Sequence, residues 1–288
     1  MKQSFTVATA QYDFRRHGDW AEYAACLETW VADGAASGAR LLLFPEYAGL
    51  DMISTIPGYQ QMSLQEQMEA LQKLIDPYRK LLTSLASRHD VYILAGSVPV
   101  RRNGSYRNTA WFVTPEGQYY GHEKVIMTRF EREVWGVAGG RSSGTVDCSL
   151  GRMGVSICYD SEFPLLVRKL VAAGARLILV PSCTDTLAGY WRVRIAAQAR
   201  ALEGQCYVMQ AVTVGEAPWC QAVDVNWGAA GVFGPPDGGF PQDGIVALGT
   251  MNQPGWVRAD IDLSMVDATR QSGQVLNYRH WSEQYEDF

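Results

Sequence analysis

The sequence predicts a single α/β domain, and three observations carry that reading. Short apolar runs of strand character alternate with longer stretches of helical periodicity through most of the chain. With 47% apolar and 19% charged residues in 288, there is ample material for a large buried core and no signature of disorder. No linker, repeat or low-complexity block divides the chain. The expected organisation is one domain over residues 1–265. A tail, 266–288, is expected to pack on the domain or on a partner subunit.

Taken in order, residues 5–11 read as a strand of β-branched and small residues. Asp19 can cap a helix with Glu22 at the capping-box position, and Trp20, Tyr23, Leu27, Trp30 and Val31 follow at helical spacing until Gly38. The wholly apolar run 41–44 suits a central strand covered on both faces. Residues 64–88 are helical in period, with Pro77 expected to kink or split them. Strands are expected at 91–98, 109–114, 118–121, 154–158, 177–180 and 207–214, with helices at 163–173 and 191–203. Beyond Gly215 the chain turns rich in Gly, Pro and Trp. Loops are expected there, with short strands at 231–233, 244–248 and 256–261.

Composition also excludes function classes. A net charge of −5 argues against nucleic-acid or anionic-membrane partners, which require a basic face. No apolar run approaches the roughly 20 residues needed to span a bilayer. Residues 1–11 lack the basic and apolar regions of a signal peptide. The six cysteines include no C-x-x-C pair, so reduced thiols in a cytoplasmic protein are expected. The four histidines show no ligand spacing, and no G-x-G-x-x-G or Walker sequence occurs; neither a metal nor another cofactor is expected.

Chemistry concentrates in three segments. In Gly154-Val155-Ser156-Ile157-Cys158-Tyr159-Asp160-Ser161-Glu162-Phe163-Pro164, Cys158 falls between a strand and a helix that begins near Pro164. A helix N-terminus there would lower the thiol pKa, and the following N–H groups could hold an oxyanion. Glu46 ends Leu41-Leu42-Leu43-Phe44-Pro45-Glu46, at the sheet edge where α/β proteins place their ligands, and apolar walls would lift its pKa towards that of a general base. Lys124 follows a strand, and Glu131 lies in the charged cluster Arg129-Phe130-Glu131-Arg132-Glu133. Taken singly, the bland readings are a buried cysteine, a loop carboxylate and a snorkelling lysine. Cys183 follows the next strand and is a candidate for the same pocket.

Together, Glu46 after Phe-Pro, Lys124 after a strand and Cys158 in Ile-Cys-Tyr-Asp resemble the Glu-Lys-Cys triad of the nitrilase, or carbon–nitrogen hydrolase, superfamily. Leu177-Ile178-Leu179-Val180-Pro181-Ser182, Arg194, Ala199-Arg200-Ala201-Leu202-Glu203 and Tyr207-Val208 extend the resemblance over about residues 4–265. The resemblance implies a four-layer αββα sandwich, assembly into a homodimer or larger homo-oligomer, and no cofactor. It also implies that Glu46 is the base, that Lys124 and the Tyr159 N–H hold the oxyanion, and that Cys158 carries a thioester. Glu131 fits the spacing of a second, substrate-orienting glutamate better than Glu133.

Two departures refine the expectation. Tyr159-Asp160 stands where nitrilases proper carry Trp-Glu, which points to hydrolysis of a small non-peptide amide, R–CO–NH2 or R–CO–NHR′. Glu162 occupies a position where amidase branches often place arginine, which resembles a poorly characterised branch sometimes attached to an acetyltransferase domain. The competing readings are a nitrilase, an acyltransferase using the same triad, and a non-catalytic scaffold, which has no use for an intact triad. For the pocket, Trp135, Tyr190, Trp191, Trp219 and Trp227 are candidates. Arg192 or Arg194 could meet a substrate carboxylate, and residues 216–241 could form specificity loops.

Overall fold

A computed structural model of the chain describes residues 4–285. The first half contains β1 (Ser4–Asp13), α1 (Trp20–Ala36), β2 (Ala39–Leu43), α2 (Leu64–Leu71), α3 (Ile75–His89), β3 (Tyr92–Leu94), β4 (Val98–Arg102), β5 (Ser105–Val113) and β6 (Tyr119–Glu123). It continues through α4 (Arg129–Glu133), β7 (Thr145–Cys148), β8 (Gly151–Val155), α5 (Pro164–Ala172), β9 (Leu177–Ser182), α6 (Leu187–Gly204) and β10 (Tyr207–Glu216). The last part holds β11 (Val225–Asn226), β12 (Gly231–Phe233), β13 (Ile245–Leu248), β14 (Gly255–Asp262), α7 (Leu263–Ser272) and α8 (Asn277–His280).

β1 is the junction of the whole sheet. It pairs parallel with β2, antiparallel with β14 along Ser4–Gln11, and, at its carboxyl end, parallel with β10 through Gln11, Tyr12 and Asp13. The hydrogen-bonded order is β4-β5-β3-β2-β1-β10-β9-β8-β7, with β6 on β5, and β12 and β13 continuing from β10. Because side chains alternate along a strand, each half has two faces to cover. Ala8, Leu42, Ile93 and Trp111 turn to one core, filled by Tyr23, Leu27 and Val31 of α1 and by Tyr78, Leu82 and Leu85 of α3. Val7, Leu41, Leu43, Leu94 and Phe112 turn to the other, which they share with β8, β9 and β10 and with Val167, Leu170, Val193 and Ala197 of α5 and α6. The result is the expected α-β-β-α order of layers. It explains why residues 177–180 are apolar without alternation: β9 is covered on both sides.

Several local expectations shift. Asp19 caps α1 by accepting from the Glu22 N–H at 2.9 Å, but the Glu22 carboxylate reaches back to the Gly18 N–H rather than to that of Asp19. The helical run 64–88 is interrupted not at Pro77 but at a 3₁₀ stretch, Gln72–Leu74. Pro77 lies in the first turn of α3, where its missing N–H would have no helical partner in any case. β8 stops at Val155, short of Cys158. Helix α6 starts at Leu187, capped by the Thr186 hydroxyl, well before residue 191. At the carboxyl end, α7 places Leu263 and Val266 in the core, and Arg270 donates to the carbonyls of Ala175, Gly204 and Gln205. Among the described residues no helix is long and apolar enough to cross a membrane.

Candidate active site

Four segments bring the charged groups to one sheet edge. Beyond β2, the chain turns through Glu46 into Tyr47, which adopts a left-handed φ of 60°. The Tyr47 N–H donates to Ser97 Oγ at 3.0 Å. Gly96 lets this turn come close, since a Cβ there would lie 2.4 Å from that of Ala48. Lys124 follows β6; its N–H donates to the Asn108 carbonyl at 2.9 Å, and its own carbonyl accepts from Gly140 at 2.8 Å. Glu131 sits in the single turn of α4, in a capping box with Thr128. Cys158 opens a 3₁₀ turn, Cys158–Glu162, with φ at 47°, a strained conformation for a residue with a side chain. Ser161 Oγ donates to the Cys158 carbonyl at 2.6 Å, and the Asp160 carboxylate accepts from the N–H groups of Val125 and Ile126 at 2.9 and 2.8 Å. Those last two bonds stitch the cysteine turn directly to the lysine segment.

At the centre, Lys124 Nζ lies 2.7 Å from Glu46 Oε1 and 2.6 Å from Glu131 Oε2, with all three side chains buried. The Tyr47 hydroxyl donates to Glu131 Oε1 at 2.5 Å, and the Thr128 N–H and hydroxyl donate to its Oε2 at 2.9 and 2.7 Å. Glu46 Oε2 accepts from the Cys183 N–H at 3.2 Å. The Cys158 thiol donates to the Cys183 carbonyl at 3.7 Å and is near enough to Glu46 for each group to shift the pKa of the other. Glu133, by contrast, is at the surface and paired with Arg129.

This arrangement pushes the two glutamates apart. Burial raises Glu46; the Lys124 ammonium pulls it down, the Glu131 charge pushes it up, and it settles at about 7. Burial would also raise Glu131, but Lys124, Tyr47 and Thr128 overcome it and hold that carboxyl at about 2. Burial disfavours the charged form of Lys124, and the two carboxylates more than reverse this. The thiol corrects the sequence expectation. Burial and the neighbouring Glu46 charge raise Cys158 well above its ordinary value, and Lys124 offsets only part. Helix α5 begins only at Pro164, too far along the chain for its positive end to dominate. The resting thiol is therefore protonated beside a carboxylate of nearly neutral pKa.

These groups lie at the floor of a cleft of about 770 Å³ whose lining includes Glu46, Lys124, Glu131, Cys158, Tyr159 and Cys183. Trp135 also lines it, with Tyr47, Leu64, Phe130 and Val134. Tyr190 and Trp191 do not, which corrects the expectation for both. Gly189, Arg192 and Val193 of α6 face the cleft, so the intervening positions turn away by helical geometry. Tyr190 is buried against Arg194, its hydroxyl accepting from the guanidinium at 2.8 Å, and Trp191 is exposed. Arg194 is therefore not a cleft residue, whereas Arg192 is, 3.8 Å from Glu162. Trp219 and Trp227 do not line the cleft either, although Gln221 to Val225 of the Gly/Pro/Trp-rich segment do. Among the described residues no group of side chains could hold a metal ion. Sequence reasoning missed Tyr47, Asn108 and Asp160. A lone asparagine ahead of the apolar end of β5 was the available signal for the second.

An α-β-β-α sandwich that gathers a thiol, a carboxylate and an ammonium at one edge of its sheet defines a nitrilase-type protein. The chain belongs to the carbon–nitrogen hydrolase family, whose model matches residues 6–271. It is 31% identical over 269 residues to the probable hydrolase YhcX of Bacillus subtilis, covering 93% of this chain and 52% of that protein. It is 28% identical to nitrilase 3 of Arabidopsis thaliana, over 64% of this chain and 55% of that one. The chain thus spans about half the length of the curated relatives it matches. Among solved structures, the NitFhit protein of C. elegans aligns with a TM-score of 0.74 at 22% identity, over 93% of this chain and 63% of that one. A mutant of the amidase from Nesterenkonia sp. AN1, with the acetamide moiety of fluoroacetamide added to its active-site cysteine, aligns at 0.73 and 20% identity, over 99% and 97%.

Proposed function

We propose that the protein hydrolyses a small non-peptide amide, R–CO–NH2 or R–CO–NHR′, through a thioester on Cys158. What supports this reading is that one cleft brings together the Cys158 thiol, the Lys124 ammonium and Glu46, a buried carboxyl poised at about 7. Glu46 accepts the thiol proton as sulfur attacks the carbonyl carbon. The developing oxyanion is held by Lys124 and the Tyr159 N–H. Collapse breaks the C–N bond, Glu46 returns the proton to the departing nitrogen, and ammonia or an amine leaves. Water, deprotonated by Glu46, then adds to the thioester; collapse frees the acid and restores the thiol. Glu131 keeps Lys124 charged and placed.

Identity to proteins called nitrilases favours a second reading, attack on R–C≡N through a thioimidate. Matched amide and nitrile pairs, with ammonia and acid both quantified, separate the two. We expect turnover of amides, a trapped acyl adduct on Cys158 by mass spectrometry, and none of either in Cys158→Ala. Turnover confined to nitriles would replace the amidase reading, turnover surviving in Cys158→Ala would end both, and capture of the acyl group by an added amine or alcohol would mark an acyltransferase. We further infer a cytoplasmic homo-oligomer. The six free thiols support the compartment, and an exposed stripe of Leu187, Trp191, Ile195 and Leu202 along α6 supports self-association.

A further inference from the structure

One fully buried, uncharged residue touches both carboxylates of the site and the backbone of its lysine. Asn108 lies in β5, opposite Pro99 of β4, and has no exposed surface. Its backbone carbonyl accepts from the Lys124 N–H at 2.9 Å. Its side-chain Nδ2 donates to Glu46 Oε1 at 2.9 Å and to Glu131 Oε1 at 3.0 Å. A primary amide has two hydrogens, so each carboxylate receives one. Among the described residues its Oδ1 has no hydrogen-bond partner, so the contacts on which the site draws are those of its donors.

The arithmetic of donors shows what this achieves. Lys124 has three N–H bonds; one points at Glu46 Oε1 and one at Glu131 Oε2, leaving a third for a substrate oxygen. Without another donor, either carboxylate could rotate to claim that third hydrogen. The Asn108 amide occupies Glu46 Oε1 from a second direction and leaves Oε2, which accepts from the Cys183 N–H, on the side of the cleft shared with Cys158. A lysine or arginine in its place would over-neutralise Glu46 and weaken the base. An aliphatic residue would leave two buried carboxylates to compete for one ammonium.

We propose that Asn108 is a positioning residue: its amide gives one hydrogen to each carboxylate, so that Lys124 keeps one free and Glu46 keeps Oε2 for the Cys158 proton. The proposal rests on the reading of Glu46 as base to Cys158, but its test does not require the substrate to be known. The rate of Cys158 alkylation by iodoacetamide, read by mass spectrometry across pH 5–10 with Cys158→Ala as blank, reports Glu46-assisted removal of the thiol proton. Hydrogen bonds to a carboxylate favour its charged form, so removing one raises the pH at which the base is available. For the full chain we expect an inflection near pH 7, moved upward by about one unit in Asn108→Ala and by less in Asn108→Ser, which restores a single donor. Once a substrate is found, kcat should fall roughly 10- to 100-fold in Asn108→Ala with little change in KM.

Circular dichroism and thermal melts establish that each variant is folded, and Asn108→Ser serves if Asn108→Ala is not. A folded variant whose alkylation profile superimposes on that of the unaltered protein overturns the proposal. Failure to hydrolyse any amide while the inflection still shifts would sink the substrate reading and leave the role of Asn108 standing.

Discussion

Glu46 and Asp51 lie on either side of the start of one 3₁₀ segment, Ala48–Thr55, and are almost equally enclosed, at 2% and 0% exposure. Burial raises the pKa of both. Their surroundings differ completely. Asp51 Oδ2 accepts from the Tyr12 hydroxyl at 2.5 Å and sits 3.5 Å from His17 Nε2, in the layer between sheet and helix where Tyr23 packs edge-on to His17. Asp51 is not among the residues that line the cleft around Cys158. Glu46 shares an ammonium with a second carboxylate, faces a thiol and opens to a cavity. A raised carboxyl pKa is therefore a consequence of burial that the two regions share. Access and a nucleophile are what separate a catalytic base from a structural acid.

The largest effect that tests this contrast is on turnover. Glu46→Gln removes the proton acceptor and leaves the amide able to bond Lys124, so kcat/KM should fall about a thousandfold. In the unaltered protein the rate should rise with pH through an apparent value near 7, because the proposed mechanism requires Glu46 to be ionised. Progress curves across pH 5–9 measure both. An intact rate in Glu46→Gln would remove the distinction between the two acids.

A smaller effect concerns the second glutamate. Glu131→Gln takes away one of two counter-charges on Lys124 and the main acceptor for Tyr47 and Thr128, and should lower kcat/KM roughly a hundredfold. Glu133→Gln, at an exposed residue paired with Arg129, should stay within about twofold. Equal losses in the two variants would mean that general surface charge, not the buried network, governs the rate.

How much of this was legible in the sequence depends on the range of the interaction involved. Cys158, Glu46 and Lys124 stand at the ends of strands that announce themselves by composition, so their convergence on one edge followed from α/β topology. Glu131 was ambiguous with Glu133 when judged by charge. The spacing of Thr128 to Glu131 is a capping box and resolves the two, because only one of them can fold back on its own helix start. Asn108 could not be read, since its role depends on which strand lies opposite and on two partners from distant segments. Tyr190 and Trp191 were misplaced because the start of α6, and with it the register of its faces, was set too late. The thiol pKa was misjudged for another reason: a local helix end was visible in the sequence, whereas the burial that outweighs it is a property of the assembled layers.

The finest test compares the same substitution at both acids. A carboxyl whose folded pKa exceeds its unfolded value binds more protons when folded, so its presence makes stability fall as pH rises from the unfolded value through the folded one. For Glu46 that window runs from about 4.5 to about 7 and corresponds to at most about 3 kcal/mol. Relative to the unaltered protein, Glu46→Gln should therefore gain stability between pH 5 and pH 8, measured by urea unfolding at each pH. Asp51→Asn should show a gain of the same sign, set against about 1–3 kcal/mol lost when the charge-assisted bond from Tyr12 is weakened. Its kcat/KM should nevertheless remain within about threefold, as expected of a substitution outside the cleft. A collapse of turnover in Asp51→Asn, matching that of Glu46→Gln, would make the sealed acid part of the machinery. A flat pH difference for Glu46→Gln would show that its carboxyl is not held near neutrality, and the base would then have to be sought elsewhere in the cleft.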